Sequence, residues 1–209
     1  MNDLQTKLFL DWEPNSSVEA TADEIRDAET YSRGYFDSSG ALVRLELYDG
    51  GNLDQVYYYG SDIESITSDH TRDYPELAFA VVHKEGASAG FHWEFTTRYA
   101  ADGSRRLLMF HLFDPRNLEI MNLDYSIAGD LRAITKFWYE SADEIGLMFE
   151  YRKDGTNVDV ANLEEGESVP LEAVLRALPE PDFYADGFAL PPQLVGTSIP
   201  SVGDHFRPE

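Results

Sequence analysis

Apolar and polar side chains alternate over residues 91–113, with Phe91, Trp93 and Phe95 on one segment and Leu108, Phe110 and Leu112 on the next. A period of two is the signature of a half-buried strand. Asp102-Gly103 lies between the two segments, and Asp-Gly is a favoured pair for two-residue hairpin turns with positive φ at both positions. A turn there pairs Ala101 with Ser104, and carried outward it sets Trp93 opposite Leu112, Phe95 opposite Phe110 and Thr97 opposite Leu108. The same construction about Asp154-Gly155 sets Phe149 opposite Val160, Tyr151 opposite Val158 and Glu150 opposite Asp159. About Gly50-Gly51 it sets Leu45 opposite Val56 and Val43 opposite Tyr58.

The turns recur with a tyrosine ahead of them. Tyr99 precedes Gly103, Tyr125 precedes Gly129 and Tyr151 precedes Gly155, at intervals of 26 residues, and Tyr35 with Gly40 forms a looser fourth copy. Only the turn and its tyrosine repeat, so the pattern predicts an antiparallel meander of long hairpins and not a solenoid. The fold class is mainly β (α+β), an open or barrel-like sheet with a short helix at each end. Ser16, with Glu19 three residues on, predicts a capped helix over 17–28. Ser168 predicts a second helix from Val169 or Pro170 to Leu178, stopped by Pro179 and burying Leu171, Val174, Leu175 and Leu178. Residues 1–178 read as one sheet domain. Residues 179–209 carry five more prolines together with Phe183, Tyr184, Phe188, Leu190 and Leu194, and read as an extended tail lying along it.

Composition changes the picture through charge. The chain has 209 residues with 39 Asp and Glu against 16 Lys and Arg, a formal net charge of −23. Residues 1–76 hold 17 acids and 5 bases, 77–139 hold 7 of each, and 140–209 hold 15 and 4. Such an imbalance makes nucleic acid a poor partner, since phosphate contacts need clustered Lys and Arg. With no cysteine, disulfides, thiolate metal sites and cysteine nucleophiles are excluded. No apolar run reaches the length of a membrane span and no leader pattern opens the chain, so the expected location is the cytoplasm, away from membranes.

Candidate chemistry is sparse. The 91–113 hairpin sets Glu94 opposite His111 with His92 on the same face, a trio suited to acid–base work or to a divalent metal. An ordinary cross-strand contact explains the same residues, with Arg98 and Arg105 as neutralising neighbours. His70 and His83 read as loop or strand-end residues, and His205 stands isolated. Serine-nucleophile, zinc-helix and phosphate-loop motifs do not occur, and no cofactor or metal is implied.

The carboxylates are more telling as groups. Glu19, Asp23, Glu24 and Asp27 mark one helix face, Glu164, Glu165 and Glu167 a second cluster, and Tyr57 and Tyr59 offer aromatic contact area beside Tyr58. Together they predict a surface for a basic protein, captured with electrostatic steering. In architecture and charge the chain resembles bacterial immunity proteins that neutralise nuclease toxins, whose acidic groups fill a basic cleft meant for nucleic acid. That resemblance rests on composition and the meander of tyrosine-bearing turns, and implies an inhibitor of a basic toxin without assigning any residue. The alternative is a ligand-binding or catalytic β-barrel using His92, Glu94 and His111.

Overall fold

The structure, a computed structural model, describes residues 4–10, 18–141 and 144–197. Strands β1 (Gln5–Phe9), β2 (Thr30–Phe36), β3 (Leu42–Asp49), β4 (Asn52–Tyr59), β5 (Phe79–Ser88) and β6 (Phe91–Tyr99) are followed by β7 (Arg105–Phe113), β8 (Glu119–Tyr125), β9 (Leu131–Ser141), β10 (Glu144–Tyr151), β11 (Asn157–Asn162) and β12 (Glu167–Ser168). Their order in the sheet is their order in the chain, so the sheet is an open meander. Helices α1 (Ala22–Arg26), α2 (Ile63–Asp73), α3 (Leu171–Leu175) and α4 (Pro181–Ala185) interrupt or follow the strands. The chain divides into two compact units: Met1–His83 with Thr97–Arg106, and Lys84–Thr96 with Leu107–Glu209.

One turn geometry accounts for most of the meander. At Ala100 the N–H donates to the Ser104 carbonyl at 2.8 Å while the Gly103 N–H donates to the Ala100 carbonyl at 2.9 Å, and the same pair of bonds recurs at Asp37, Asp114, Ser126 and Arg152. This is a three-residue loop ending in a left-handed residue, glycine in four copies and Asn117, at φ 67°, in the fifth. The expected two-residue turns at Asp102-Gly103 and Asp154-Gly155 are therefore corrected by one residue. A short polar side chain drives the change: Asp102 Oδ1 accepts the Ser104 N–H at 2.9 Å and Asp154 Oδ1 the Thr156 N–H at 3.0 Å. In the second hairpin Phe149 lies opposite Val160 and Glu150 opposite Asp159, as expected, but a bulge sets Tyr151 opposite Asn157 in place of Val158.

Gly50-Gly51 does form the two-residue turn, with Asp49 opposite Asn52 and both glycines left-handed. A bulge between Leu47 and Tyr48 then moves the register, so Leu45 meets Tyr57 and Glu46 meets Val56. The expected Leu45–Val56 pair is lost, and so is Val43–Tyr58, because Tyr58 now faces Arg44. The consequence is that a carboxylate is carried onto a buried face.

Two helical expectations are also corrected. The first described helix begins at Ala22, capped by Thr21 with Glu24 in a reciprocal capping box, and Glu19 instead bridges to Phe9. Ser16 and Ser17 lie outside the described residues, as do His205, Pro200 and Pro208. Ser168 pairs in β12 and donates to Asp159, so α3 starts after Pro170 without a side-chain cap.

Unit one contains an element the alternation did not announce. Helix α2 connects β4 to β5, which pair in parallel, with Val56 opposite Phe79 and Tyr58 opposite Val81. Asp62 caps it through the Ser65 N–H at 3.0 Å. Ile63, Ile66 and Tyr74 pack against Val56, Tyr58, Phe79, Val81 and Tyr99. His70 is completely buried in α2, so its reading as a loop or surface residue is wrong. Its Nε2–H donates to the Leu77 carbonyl at 2.8 Å and its Nδ1 accepts from the Tyr58 hydroxyl at 3.0 Å, which leaves the neutral ring fully satisfied.

Burial holds the His70 pKa below its usual value, so the unfolded chain takes the proton first on acidification. Stability from this group is complete above about pH 6.5 and is lost as the pH falls below it. Urea midpoints measured at pH 7.5 and 5.5 should therefore drop more for the native chain than for His70→Gln. Equal drops would show that the ring does not carry this part of the pH dependence.

Candidate functional site

In unit two the strand registers define two parallel rows of side chains. Leu112, Met121, Lys136, Phe149 and Val160 lie directly opposite one another from β7 to β11, and all five are buried. One residue along each strand, His111, Asn122, Thr135, Glu150 and Asp159 form the corresponding row. Adjacent residues of a strand point to opposite faces, so a core row that is apolar but for Lys136 is backed by a wholly polar one. The core face is covered by the C-terminal segment: Leu178, Phe183, Tyr184 and Leu194 join Phe110, Ile134 and Phe149 in one cluster. Glu150 is exposed and the other four polar residues are half-buried. Flanking pairs Met109–Asp124 and Phe137–Met148 mix carboxylate and apolar surface on the same face.

His111 anchors one end of the polar row. Its Nδ1 lies 2.7 Å from Glu119 Oε1, and the Asn122 amide is 3.0 Å from that same oxygen. The carboxylate in contact with His111 is Glu119, supplied where β8 begins after the Asp114 turn. Glu94 remains close enough to feel His111 and Lys84 as attractions and Glu119 as a repulsion, but burial dominates and raises its pKa. His92 stacks flat on Phe113 with centroids 4.7 Å apart, and burial together with Lys84 lowers its pKa. Among the described residues no group of three His, Cys, Asp or Glu side chains is arranged to hold a metal ion.

The other predicted site residues fall in two places. Glu19, Asp23, Glu24 and Asp27 are exposed beside β1 in unit one, yet three of them have local partners. Glu19 reaches Lys7 Nζ at 3.7 Å, Asp23 binds Arg26 at 2.7 Å, and Glu24 accepts the Thr21 N–H at 2.8 Å and hydroxyl at 2.7 Å, which lowers its pKa. Glu164, Glu165 and Glu167 are exposed around the turn into β12, in unit two, where the Asn162 side chain orders the backbone of the first two. The two acidic clusters therefore belong to different units. Tyr57 and Tyr59 are half-buried on the face opposite Tyr58, and Tyr57 donates to Gln55 Oε1 at 2.8 Å.

Two buried charged groups escaped sequence reading. Glu46 in unit one is 1% exposed and accepts hydrogen bonds from the hydroxyls of Tyr35 at 2.9 Å, Tyr48 at 2.8 Å and Tyr74 at 2.5 Å, with Arg44 at 3.4 Å and Arg33 at 3.7 Å. Burial and the carboxylate raise the pKa of Tyr48 and Tyr74, which keeps both phenols as donors. Lys136 in unit two is completely buried in its apolar row, and its Nζ donates to the carbonyls of Phe183 at 2.5 Å, Asp186 at 2.7 Å and Ala189 at 2.7 Å. Burial pulls its pKa down to about 7, opposed by Asp186. Three carbonyls match the three protons of an ammonium, and the charge thereby straps residues 183–189 to the sheet.

Comparison with protein-family models, with curated proteins and with solved structures finds no match for this chain. What its own geometry defines is a mostly antiparallel, single-sheet protein with an acidic polar row opposite a core face covered by the C-terminal segment. No helix is long and apolar enough to cross a membrane among the described residues.

Proposed function

We propose that this protein is an acidic binding module that docks a basic protein, in its narrowest form an immunity-type inhibitor of a nuclease-like toxin. The observation that carries the reading is the row His111, Asn122, Thr135, Glu150 and Asp159, with Glu119 beside it and Asp124 in the next row. It presents several carboxylates on rigid strands and no lysine or arginine. Met109, Phe137 and Met148 supply apolar area between the charges, as a protein interface requires. A field of net charge −23 accelerates the approach of a cationic partner, and the ladder fixes where it docks.

The test uses a basic partner captured from the native host at low ionic strength and purified as a defined pair. Glu150→Lys combined with Asp159→Lys should weaken binding at least tenfold, and affinity should fall steeply as salt rises. Asp23→Lys in α1 combined with Asp27→Lys at its C-cap should change it less than twofold. Equal losses from both pairs, or an affinity indifferent to salt, would reject the ladder as the docking face.

A second reading, acid–base chemistry on a small ligand by His92, Glu94 and His111, is favoured by the 2.7 Å contact of His111 with Glu119. Under it, His111→Ala abolishes the activity while the Glu150 and Asp159 reversals leave it intact.

A further inference from the structure

Unit two holds a cavity of about 360 Å³ whose walls are largely aromatic: Phe91, Trp138, Tyr139, Phe183 and Tyr184. A space of this size sits at the lower end of small-ligand sites and suits one long side chain with its flanking backbone. Trp138 can lie across β10 only because residue 146 is glycine, since a Cβ there would stand 2.7 Å from the indole. Three charged groups line the same cavity: Asp114, Arg116 and Glu180.

Two of those charges cancel. Asp114 accepts from Arg116 Nε and from its terminal nitrogen, both at 2.7 Å, and from the backbone N–H groups of Arg116 at 2.8 Å and Leu118 at 3.0 Å. Glu180 meets the Gln193 amide at 3.1 Å, a neutral donor that leaves its charge uncompensated by any cation lining the cavity. The walls therefore combine aromatic side chains with one net negative charge, although the Phe183 ring already carries Lys136 Nζ 4.0 Å from its centroid. An anionic ligand would meet Glu180 and an arginine already committed to Asp114.

We infer that this cavity receives the guanidinium group of an arginine side chain from the basic partner. The inference rests on the docking reading for the source of the arginine, which must come from a part of the partner that reaches round the sheet from the polar row, because Trp138 lies on the core-face side with Phe183 and Tyr184 of the covering segment. The chemistry of the cavity stands by itself. Arginine suits it better than lysine because a planar, weakly hydrated cation stacks on aromatic rings while one edge bonds a carboxylate. Few residues carry most of the energy of a protein interface, and a desolvated arginine among aromatics is a typical one.

The probe is N-acetyl-L-arginine amide, titrated into the full chain and followed by NMR. Saturable binding with Kd on the order of 1–10 mM is expected for so small a ligand, with shifts centred on Trp138, Tyr139 and Tyr184. The neutral analogue N-acetyl-norleucine amide should bind at least tenfold more weakly. Glu180→Gln should weaken the arginine probe at least threefold, and Trp138→Leu, verified as folded by circular dichroism, should remove saturation. Equal binding of the neutral analogue, or shifts spread over the acidic surface and unaffected by Glu180→Gln, would overturn the inference. A partner whose affinity depends on Glu150 and Asp159 but not on Glu180 or Trp138 would also overturn it and leave the docking reading standing. Saturable arginine binding with no salt-dependent partner would uphold the cavity and defeat the docking reading.

Discussion

Glu46→Ala should destabilise the protein by about 4 kcal/mol, the size expected when one member of a buried charged network is removed. The substitution leaves the hydroxyls of Tyr35, Tyr48 and Tyr74 without their acceptor and the guanidinium groups of Arg33 and Arg44 without their counter-charge. Arg44 lies 3.9 Å from the Tyr35 ring centroid, so it loses its carboxylate while held in place by stacking. Glu46→Gln keeps the shape and one acceptor oxygen and should cost about half as much. Urea midpoints measure both, and a loss under about 1 kcal/mol for the alanine variant would show that the cluster relaxes onto water.

Lys136→Met should cost about 3 kcal/mol, because three carbonyls, one of them buried and two part-buried, lose their donor while an apolar side chain of similar length fills the row. Relief of the desolvated ammonium offsets part of the loss. The damage is local in a specific way: Phe183, Asp186 and Ala189 are released, and with them the Tyr184 carbonyl held by Tyr151 at 2.6 Å. Limited proteolysis should therefore cut residues 176–197 faster in the variant than in the native chain. An unchanged urea midpoint with an equally protected segment would show that apolar packing of Phe183, Tyr184 and Leu194 suffices to hold the segment.

Much of the fold was readable from local chemistry. Strands announce themselves by period, as in Trp93, Phe95, Phe110 and Leu112, and the pairing of Glu150 with Asp159 follows from counting outward from Asp154-Gly155. That pair became part of the candidate docking row, with Asp159 also accepting from Ser168, while Glu19, Asp23 and Glu24 are engaged with Lys7, Arg26 and Thr21. Helix α2 was harder to see. Its buried side is Ile63, Ile66, His70 and Tyr74, only two of them aliphatic, so the helical period hides behind a histidine and a tyrosine that ordinarily sit half-exposed.

Composition and alternation by themselves determined the class: an anionic chain, strands joined by tight polar turns, one apolar face per hairpin. These depend on neighbours within a few residues, which the sequence states directly. Tertiary structure alone decided which charges are buried and what they meet. A single bulge at Leu47 and Tyr48 set Glu46 opposite the buried Val56 in place of Gln55, and Lys136 found its carbonyls about 50 residues further along the chain. Register shifts of one residue reverse a face, and partners so distant share no local pattern, so neither could be counted out from a turn.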